Sequence, residues 1–207
     1  MENRSIMKVL DKSTLLGTGT KRSAYIDPEN EDRCIKILDS KDNQRNIRRE
    51  LVCYRILKKQ NISWDMMIQY YGTVETDQGI GHVFDLVRDF DGKVSETLRS
   101  YFTDEKKFKT IPNLLEKIET FKKYLIDNKI ILADPGLANI LYKKSSENDG
   151  TFVIVDGVEN TDFIPIASYI NYFKRKKIMR CIKKFDTKLM AHETYKNFID
   201  KNNNKSL

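Results

Sequence analysis

The first part of the chain alternates extended runs with one helical stretch. Thr14–Tyr25 holds two short extended runs separated by turn-forming glycines, and Arg33–Leu38 alternates polar and apolar residues as a half-buried strand does. Asp42–Lys59 contains no Gly or Pro and repeats apolar residues at helical spacing, which predicts an amphipathic helix. The apolar residues of that helix are Ile47, Leu51 and Tyr54.

Two more strands and then a change of pattern follow. Gln69–Glu75 and Gly81–Arg88 are predicted strands, joined by a hairpin turn at Thr76–Gly79. At Asp89–Lys93, with the sequence D-F-D-G-K, the pattern changes from strands to helices, and we interpret this run as a linker. Ser95 to Phe102 then predicts a short helix.

The clearest helix of the chain is predicted at Asn113–Asn128. Asn113 is placed to cap it, and apolar residues recur three and four positions apart. These residues are Leu114, Ile118, Phe121 and Leu125. From Pro165 to about Asp200 the pattern is helical again, and we expect the polar tail Lys201–Leu207 to fray.

Short strands are predicted between these helices. They lie at Ile130–Leu132, Asn139–Tyr142 and Thr151–Val155, with a polar loop at Lys143–Gly150. Strands gathered first and helices gathered later are typical of an α+β fold, with a small antiparallel sheet and one helix followed by a mostly helical part.

Composition excludes several classes of protein. The 207 residues are 40% hydrophobic and 32% charged, which is typical of a globular domain. No apolar run approaches the ~20 residues of a membrane span, and Met1–Lys12 has no apolar core of a signal peptide. We therefore expect a cytoplasmic protein without a transmembrane segment. Three widely spaced cysteines and two histidines argue against a disulfide framework or a zinc site.

The first candidate for chemistry is the glycine hairpin Gly17-Thr18-Gly19. Glycines two apart let the backbone approach a polyphosphate, whose oxygens the N–H groups can bind. Lys21 and Arg22 add positive charge. No G-K-[ST] follows, so this is not a Walker A loop, and alone it is more typical of an ordinary hairpin.

Lys36 and Glu50 are the second candidate pair. Because strand side chains alternate, Ile35 and Ile37 should face away from Lys36, which places the ammonium on the ligand side of the sheet. Glu50, on the following helix, can pair with Lys36. The alternative for Lys36 is an ordinary surface lysine. The alternative for Glu50 is a solvated carboxylate that balances the charge of Arg48 and Arg49.

Three further polar residues follow apolar strands. Asp134 and Asn139 stand five apart in a Pro-Gly loop, and Asp156 with Gly157 ends the strand at Thr151–Val155. A carboxylate can accept a hydroxyl proton, while an amide and a second carboxylate can bind magnesium. An ordinary turn is the alternative for Asp156.

Taken in order, these features match the parts that phosphoryl transfer needs in a kinase. The sequence resembles the protein-kinase-like superfamily and, more closely, the YrbL family of bacterial PhoP-regulatory-network proteins. The runs that carry the closer resemblance are Leu16–Tyr25, Arg33–Ile37, Ile47–Tyr54, Tyr71–Asp77, Asp89–Lys93, Asn139–Leu141 and Ile164–Ala167.

The resemblance implies a single two-lobed domain over 1–207, with an N-lobe to about residue 88, a linker at 87–93 and a reduced helical C-lobe at 94–200. It implies ATP with Mg²⁺ or Mn²⁺. Lys36 would bind phosphates with Glu50 as its partner, and Asp134 would be the catalytic base. Asn139 and Asp156 would bind the metal. The linker residues against adenine would be Val87, Arg88, Asp89 and Phe90.

The sequence also departs from kinases. Arg22 stands where the loop's third glycine would be, and Gly157-Val158 follows Asp156 in place of Phe-Gly. No A-P-E run follows. We therefore favour a phosphotransferase acting on a hydroxyl of a non-protein acceptor. A pseudokinase that binds nucleotide and regulates a protein partner is the alternative. A nucleic-acid-binding module is disfavoured, because no stacking platform or helix-turn-helix is evident.

Tyr169–Phe185 is strongly basic, and its formal charge contributes to the net charge of +7. Such a helix can lie on an anionic membrane or present charge to an acidic substrate. The sequence favours instead a helix that packs its apolar side on the domain and leaves its charges in water.

Overall fold

The computed structural model describes residues 7–19, 22–38, 44–158 and 167–204, with the backbone alone for 44–46 and 167–174. The protein is α+β, as its sequence predicts, and it divides into two compact units. Unit 1 comprises Met1–Gln60 and Ile68–Val87, and unit 2 comprises Asn61–Met67 and Arg88–Leu207. In the described part of the chain, no helix combines the length and apolar character needed to cross a membrane.

The described residues of unit 1 form a five-stranded antiparallel sheet and one α-helix. The strands are β1 (Leu15–Thr18), β2 (Arg22–Asp27), β3 (Asn30–Leu38), β4 (Tyr70–Thr76) and β5 (Gly79–Asp85), in the spatial order β1-β2-β3-β5-β4. The helix, α1 (Gln44–Lys59), follows β3. The predicted hairpin turn at Thr76–Gly79 is confirmed, although the strand after it ends at Asp85 and not at Arg88.

The two faces of this sheet carry different chemistry. Ile35 and Ile37 pack with Leu10, Tyr25 and Val83 in a buried apolar cluster on one face. Since strand side chains alternate, β3 presents Cys34 and Lys36 on the other face. Phe84 is the cross-strand neighbour of Cys34 and also contacts α1, where the Tyr54 ring lies edge-on at 5.4 Å. The face that carries Lys36 is therefore the face that α1 covers.

Unit 2 contains a three-stranded sheet and five helices within the described residues. The strands are β6 (Glu96–Thr97), β7 (Ile140–Ser146) and β8 (Asp149–Ile154), and the helices are α2 (Leu98–Thr103), α3 (Glu105–Lys109), α4 (Leu114–Asp127), α5 (Ala167–Met190) and α6 (Glu193–Asn203). Phe121 of α4 is fully buried between Phe152 of β8 and Phe185 of α5, at centroid distances of 6.0 and 5.2 Å. Aromatic packing thus joins three elements of this core.

Several local predictions need correction. Ile130–Leu132 is buried but irregular, and only the isolated bridge from Leu132 to Val158 pairs it. The polar run Lys143–Gly150 is largely strand, because β7 and β8 form an exposed ribbon that needs no apolar face on its outer side. Asn113 precedes α4 in a left-handed conformation with φ of 49°, and its side chain makes no capping hydrogen bond.

The predicted C-terminal helix is two helices. The α-helical backbone ends at Met190 and starts again at Glu193, after His192 in an extended conformation. Lys201 belongs to α6, so the predicted fraying does not begin there. Pro165 and the last residues 205–207 lie outside the described residues. Cys34, Cys53 and Cys181 are free and buried.

Candidate functional site

The glycine hairpin forms as predicted, between β1 and β2. The Gly19 N–H donates to the Arg22 carbonyl at 2.8 Å and closes the turn, whose residues 20 and 21 lie outside the described part. A Cβ placed on Gly17 would meet no heavy atom within 4 Å, and Thr18 is exposed. The backbone at Gly17 is therefore open to approach by a ligand.

Lys36 is buried, with 8% of its surface exposed, and is not the surface lysine of the alternative interpretation. Its ammonium lies 4.5 Å from the centroid of the Phe84 ring, in cation–π geometry. Ala24 and His82 flank it on the neighbouring strands.

Glu50 is also buried, at 5% exposure, so it is not a solvated carboxylate that balances the charge of Arg48 and Arg49. Arg22 of β2 donates from Nη2 to Glu50 Oε2 at 2.7 Å, with the Arg22 side chain 19% exposed. The sequence prediction treated Arg22 only as added charge. A signal for this contact was present, because Arg22 lies two residues before Ala24 and so shares the sheet face of Lys36.

His82 adds a neutral base to this group of residues. It is the cross-strand neighbour of Lys36 and is buried, with the Tyr70 ring centroid 6.2 Å from its own. Burial, and then the positive charge of Arg22, lower the pKa of His82 below its ordinary value. On the α1 side of the sheet, Arg22, Lys36 and the Glu50 carboxylate thus lie with an imidazole that stays uncharged near neutral pH.

Unit 2 brings three of the predicted positions together. The Asn139 side chain donates from Nδ2 to the backbone carbonyl of Asp134 at 3.0 Å. Gly157, with φ of 80°, packs so closely that a Cβ there would lie 3.0 Å from that carbonyl oxygen and 3.2 Å from Asn139 Nδ2. Only glycine accommodates this approach and this conformation without strain. The loop of Asp134 and Asn139 therefore packs directly against the residue after Asp156.

Backbone hydrogen bonds fix the same arrangement. Ala133 N–H donates to the Gly157 carbonyl at 2.7 Å, and Val155 N–H donates to the Asn139 carbonyl at 3.0 Å. The Asp134 carboxyl is exposed, whereas Asn139 and Asp156 are half-buried. An exposed carboxylate beside two partly sheltered oxygen donors is a suitable arrangement for a base next to a metal site.

The oxygen donors of this group fit a magnesium ion. Because Asn139 uses Nδ2 to bond Asp134, its Oδ1 is left for other partners, and Asp156 supplies a carboxylate. Asp156 Oδ1 also accepts from the Gly157 N–H at 2.6 Å, which orients that carboxylate. Hard oxygen ligands of this kind suit Mg²⁺ or Mn²⁺. Among the described residues, no cluster of three or more His, Cys, Asp or Glu side chains offers an alternative metal site.

The linker run is a well-defined turn. Asp89 N–H donates to the Lys93 carbonyl at 2.8 Å, and Phe90 N–H donates to the Lys144 carbonyl of β7 at 2.9 Å. The Asp89 carboxylate accepts from Lys144 N–H at 3.0 Å and from the Ser95 hydroxyl at 2.5 Å. Two backbone donors predicted to face adenine are therefore engaged within unit 2.

A separate cavity of about 410 Å³ lies between α3 and α6. Its walls carry lysines and glutamates together with Phe108 and Phe198. None of the residues that the sequence singled out lines it. We therefore do not associate this cavity with the candidate chemistry.

Comparison with known proteins places the chain in a family. The profile of the family described as PhoP regulatory network protein YrbL matches residues 9–190. The proteins named YrbL from Escherichia coli (strain K12) and from Shigella flexneri are each 35% identical over 178 residues, covering 85% of this chain and 85% of theirs. The chain belongs to the YrbL family of PhoP regulatory network proteins.

Proposed function

We propose that the protein binds ATP with Mg²⁺ or Mn²⁺ and transfers a phosphoryl group to a hydroxyl of a non-protein acceptor, as a member of the kinase-like superfamily. The observation that carries this proposal is the packing of Asp134, Asn139 and Gly157 into one hydrogen-bonded group. A base, an amide oxygen and a strand-end carboxylate recur together in phosphoryl transfer, where positioning and charge stabilisation supply most of the catalysis. The buried Lys36 in unit 1 supports the same assignment.

Each residue has a defined task in this proposal. Lys36 binds the α- and β-phosphates, and the open backbone of Gly17, Thr18 and Gly19 approaches the phosphates from the loop. Asn139 and Asp156 would hold the divalent ion through their side-chain oxygens, and the ion would supply positive charge for the phosphates. Asp134 accepts the proton of the acceptor hydroxyl as its oxygen bonds to the γ-phosphorus and the bond to the ADP oxygen breaks.

The first prediction concerns the metal. We expect ATP to bind tightly with Mg²⁺ or Mn²⁺ and weakly in EDTA, because the oxygens of Asn139 and Asp156 can reach the phosphates only through a cation. Isothermal titration of the full chain with ATP, with and without metal, measures this. Equal affinity in EDTA would contradict the metal assignment but would leave nucleotide binding in place.

The second prediction concerns Lys36. We expect Lys36→Ala to weaken ATP binding by at least about tenfold, since it removes a buried cation from the sheet face that carries the phosphate-binding groups. Lys58→Ala and Lys59→Ala are matched controls, because both lysines are exposed at the end of α1. The same titration compares the three variants. Identical behaviour of all three would show that Lys36 has no special role toward nucleotide.

A regulatory pseudokinase is the second candidate function, and one contact favours it. The Arg22–Glu50 ion pair engages the carboxylate that the proposal assigns to Lys36. If that pair persists with nucleotide bound, Glu50 shares its negative charge between Arg22 and Lys36, which weakens its hold on Lys36 and slows transfer. Such a protein would bind ATP and act on a protein partner, which is compatible with the regulatory network named in the family description.

A further inference from the structure

The positive charge of this chain is concentrated in one helix. The stretch 175–190 of α5 holds seven lysines and arginines and one aspartate, which gives +6 of the chain's net +7 within 16 residues. All seven cations are exposed. They are Arg175, Lys176, Lys177, Arg180, Lys183, Lys184 and Lys188. The other 191 residues are almost neutral in sum, so this surface is a local feature and not a property of the whole molecule.

The apolar side of α5 is already used by the fold. Ile178, Cys181, Ile182, Phe185 and Leu189 are all buried in unit 2. The prediction that the helix packs its apolar side on the domain is therefore confirmed. The outer side of α5 is not purely cationic. It also exposes two large apolar residues, Met179 at 50% and Met190 at 43%.

The neighbouring helix α4 exposes two apolar residues with the same spacing. Leu115 and Ile126 are 43% and 42% exposed, and they lie 11 residues apart, as Met179 and Met190 do. Eleven residues are three turns, so each pair lies along one side of its helix within about 20°. Each helix therefore carries an exposed apolar pair in line with its axis.

A salt bridge joins the two helices at the matching position. Lys122 Nζ lies 2.8 Å from Asp186 Oδ1. Lys122 is seven residues after Leu115, and Asp186 is seven after Met179, so each bridge residue lies on the same side of its helix as the apolar pair. The four apolar residues therefore flank the bridge on one surface of unit 2.

The same spacing places four of the seven cations within about 100° of Met179 around α5, whereas Lys177, Lys184 and Lys188 lie on the far side. The four near the methionines are Arg175, Lys176, Arg180 and Lys183. We call the four apolar residues, the bridge and these four cations the α4–α5 surface.

We propose that the α4–α5 surface docks on an anionic lipid bilayer. A surface that mixes exposed apolar residues with an excess of lysine and arginine meets both of its requirements in the headgroup region, where acyl chains accept the apolar side chains and anionic lipids attract the cations. Long lysine and arginine stems let the charges reach the headgroups while the helix lies flat.

Two other occupants fit the observations less well. A nucleic acid would pair its phosphates with the cations but would leave four apolar residues without contact, since its backbone offers charge and no apolar surface. A second copy of the chain would bring two surfaces of about +4 together, and their mutual repulsion opposes that contact.

The test uses the full chain and vesicles. We expect co-sedimentation with vesicles of phosphatidylcholine containing roughly one third phosphatidylglycerol, and little with phosphatidylcholine alone. Met179→Ser combined with Met190→Ser should lower binding to the anionic vesicles about tenfold. Val52→Ser combined with Ile80→Ser is the matched control, because it removes two exposed apolar residues from unit 1.

A second double variant tests the contribution of the cations. Arg180→Gln combined with Lys183→Gln should also lower binding about tenfold or more, whereas Lys58→Gln combined with Lys59→Gln should not. Circular dichroism shows that each variant is folded. The proposal is overturned if the protein does not bind anionic vesicles. It is also overturned if the methionine variant binds them as wild type does, because binding would then depend on charge alone. It is also overturned if a DNA duplex binds more tightly than the anionic vesicles at the same salt concentration.

Discussion

Asp134→Asn should lower phosphoryl transfer by ~10²–10⁴-fold while ATP affinity stays nearly unchanged. The carboxylate is exposed, and its proposed role is to accept a proton from the attacking hydroxyl. Such an interaction contributes mainly in the transition state, so its loss raises the barrier by about 3–5 kcal/mol and leaves ground-state binding intact. Paired measurement of ATP affinity and of ATP turnover across a panel of acceptors, with water as the fallback acceptor, checks this.

Asp156→Asn is the comparison that separates base from metal ligand. Its proposed partner is the cation, so it should weaken metal-dependent ATP binding as well as turnover. If Asp134→Asn turns over as fast as wild type, the base assignment fails. If wild type binds ATP with metal but transfers phosphate to no acceptor, the pseudokinase becomes the better description.

The position of Lys36 illustrates what the sequence determines well. Alternation along β3 separates Ile35 and Ile37 from Lys36, and the structure places the two isoleucines in the apolar cluster on the opposite face. This prediction needed only the period of a strand, which is fixed by the backbone. It did not need any knowledge of which elements pack together.

The Arg22–Glu50 ion pair shows where that kind of reasoning ends. The two residues are 28 positions apart, on β2 and α1, and their contact depends on how the helix lies across the sheet. Neither strand alternation nor helical spacing contains that information. The sequence therefore indicated charge at Arg22 but not the partner of that charge.

The loop of Asp134 is an intermediate case. Residue spacing predicted that the Pro-Gly loop can point the Asp134 carboxylate and the Asn139 amide into one cleft, and the structure brings the two residues into contact through the Asp134 backbone. The spacing did not predict that Asn139 would bond the backbone carbonyl of Asp134, or that Gly157 would pack against both. The first depends on local chain length, whereas the second depends on contact between segments that are distant in sequence.

Errors in the strand predictions have a common cause. Ile130–Leu132 is apolar and buried, yet three apolar residues do not distinguish a strand from an irregular buried segment. Lys143–Gly150 is polar, yet β7 and β8 continue through it. Gly150 contributes to this ribbon, since a Cβ there would lie 2.8 Å from the Tyr142 ring and 2.5 Å from the Lys143 carbonyl. Polarity reports exposure and not backbone conformation.

Glu50→Gln should lower the free energy of unfolding by about 3 kcal/mol, which is large for a single substitution. Glu50 is 5% exposed and accepts from Arg22 at 2.7 Å, so the neutral amide removes a buried negative charge that stabilises a largely buried guanidinium. Urea denaturation followed by circular dichroism measures the change. Glu119→Gln is the matched control, because Glu119 is 72% exposed where it pairs with Lys122, and its loss should stay within about 0.5 kcal/mol.

A double variant distinguishes a buried charge pair from an ordinary packing defect. Combining Arg22→Met with Glu50→Met removes both charges and keeps similar volume, so most of the lost stability should return. ATP affinity measured on the same proteins then separates stability from nucleotide binding, since a restored fold with weakened ATP binding would assign Glu50 a role toward Lys36. If Glu50→Gln is no less stable than the Glu119→Gln control, the Arg22–Glu50 pair does not hold α1 against β2.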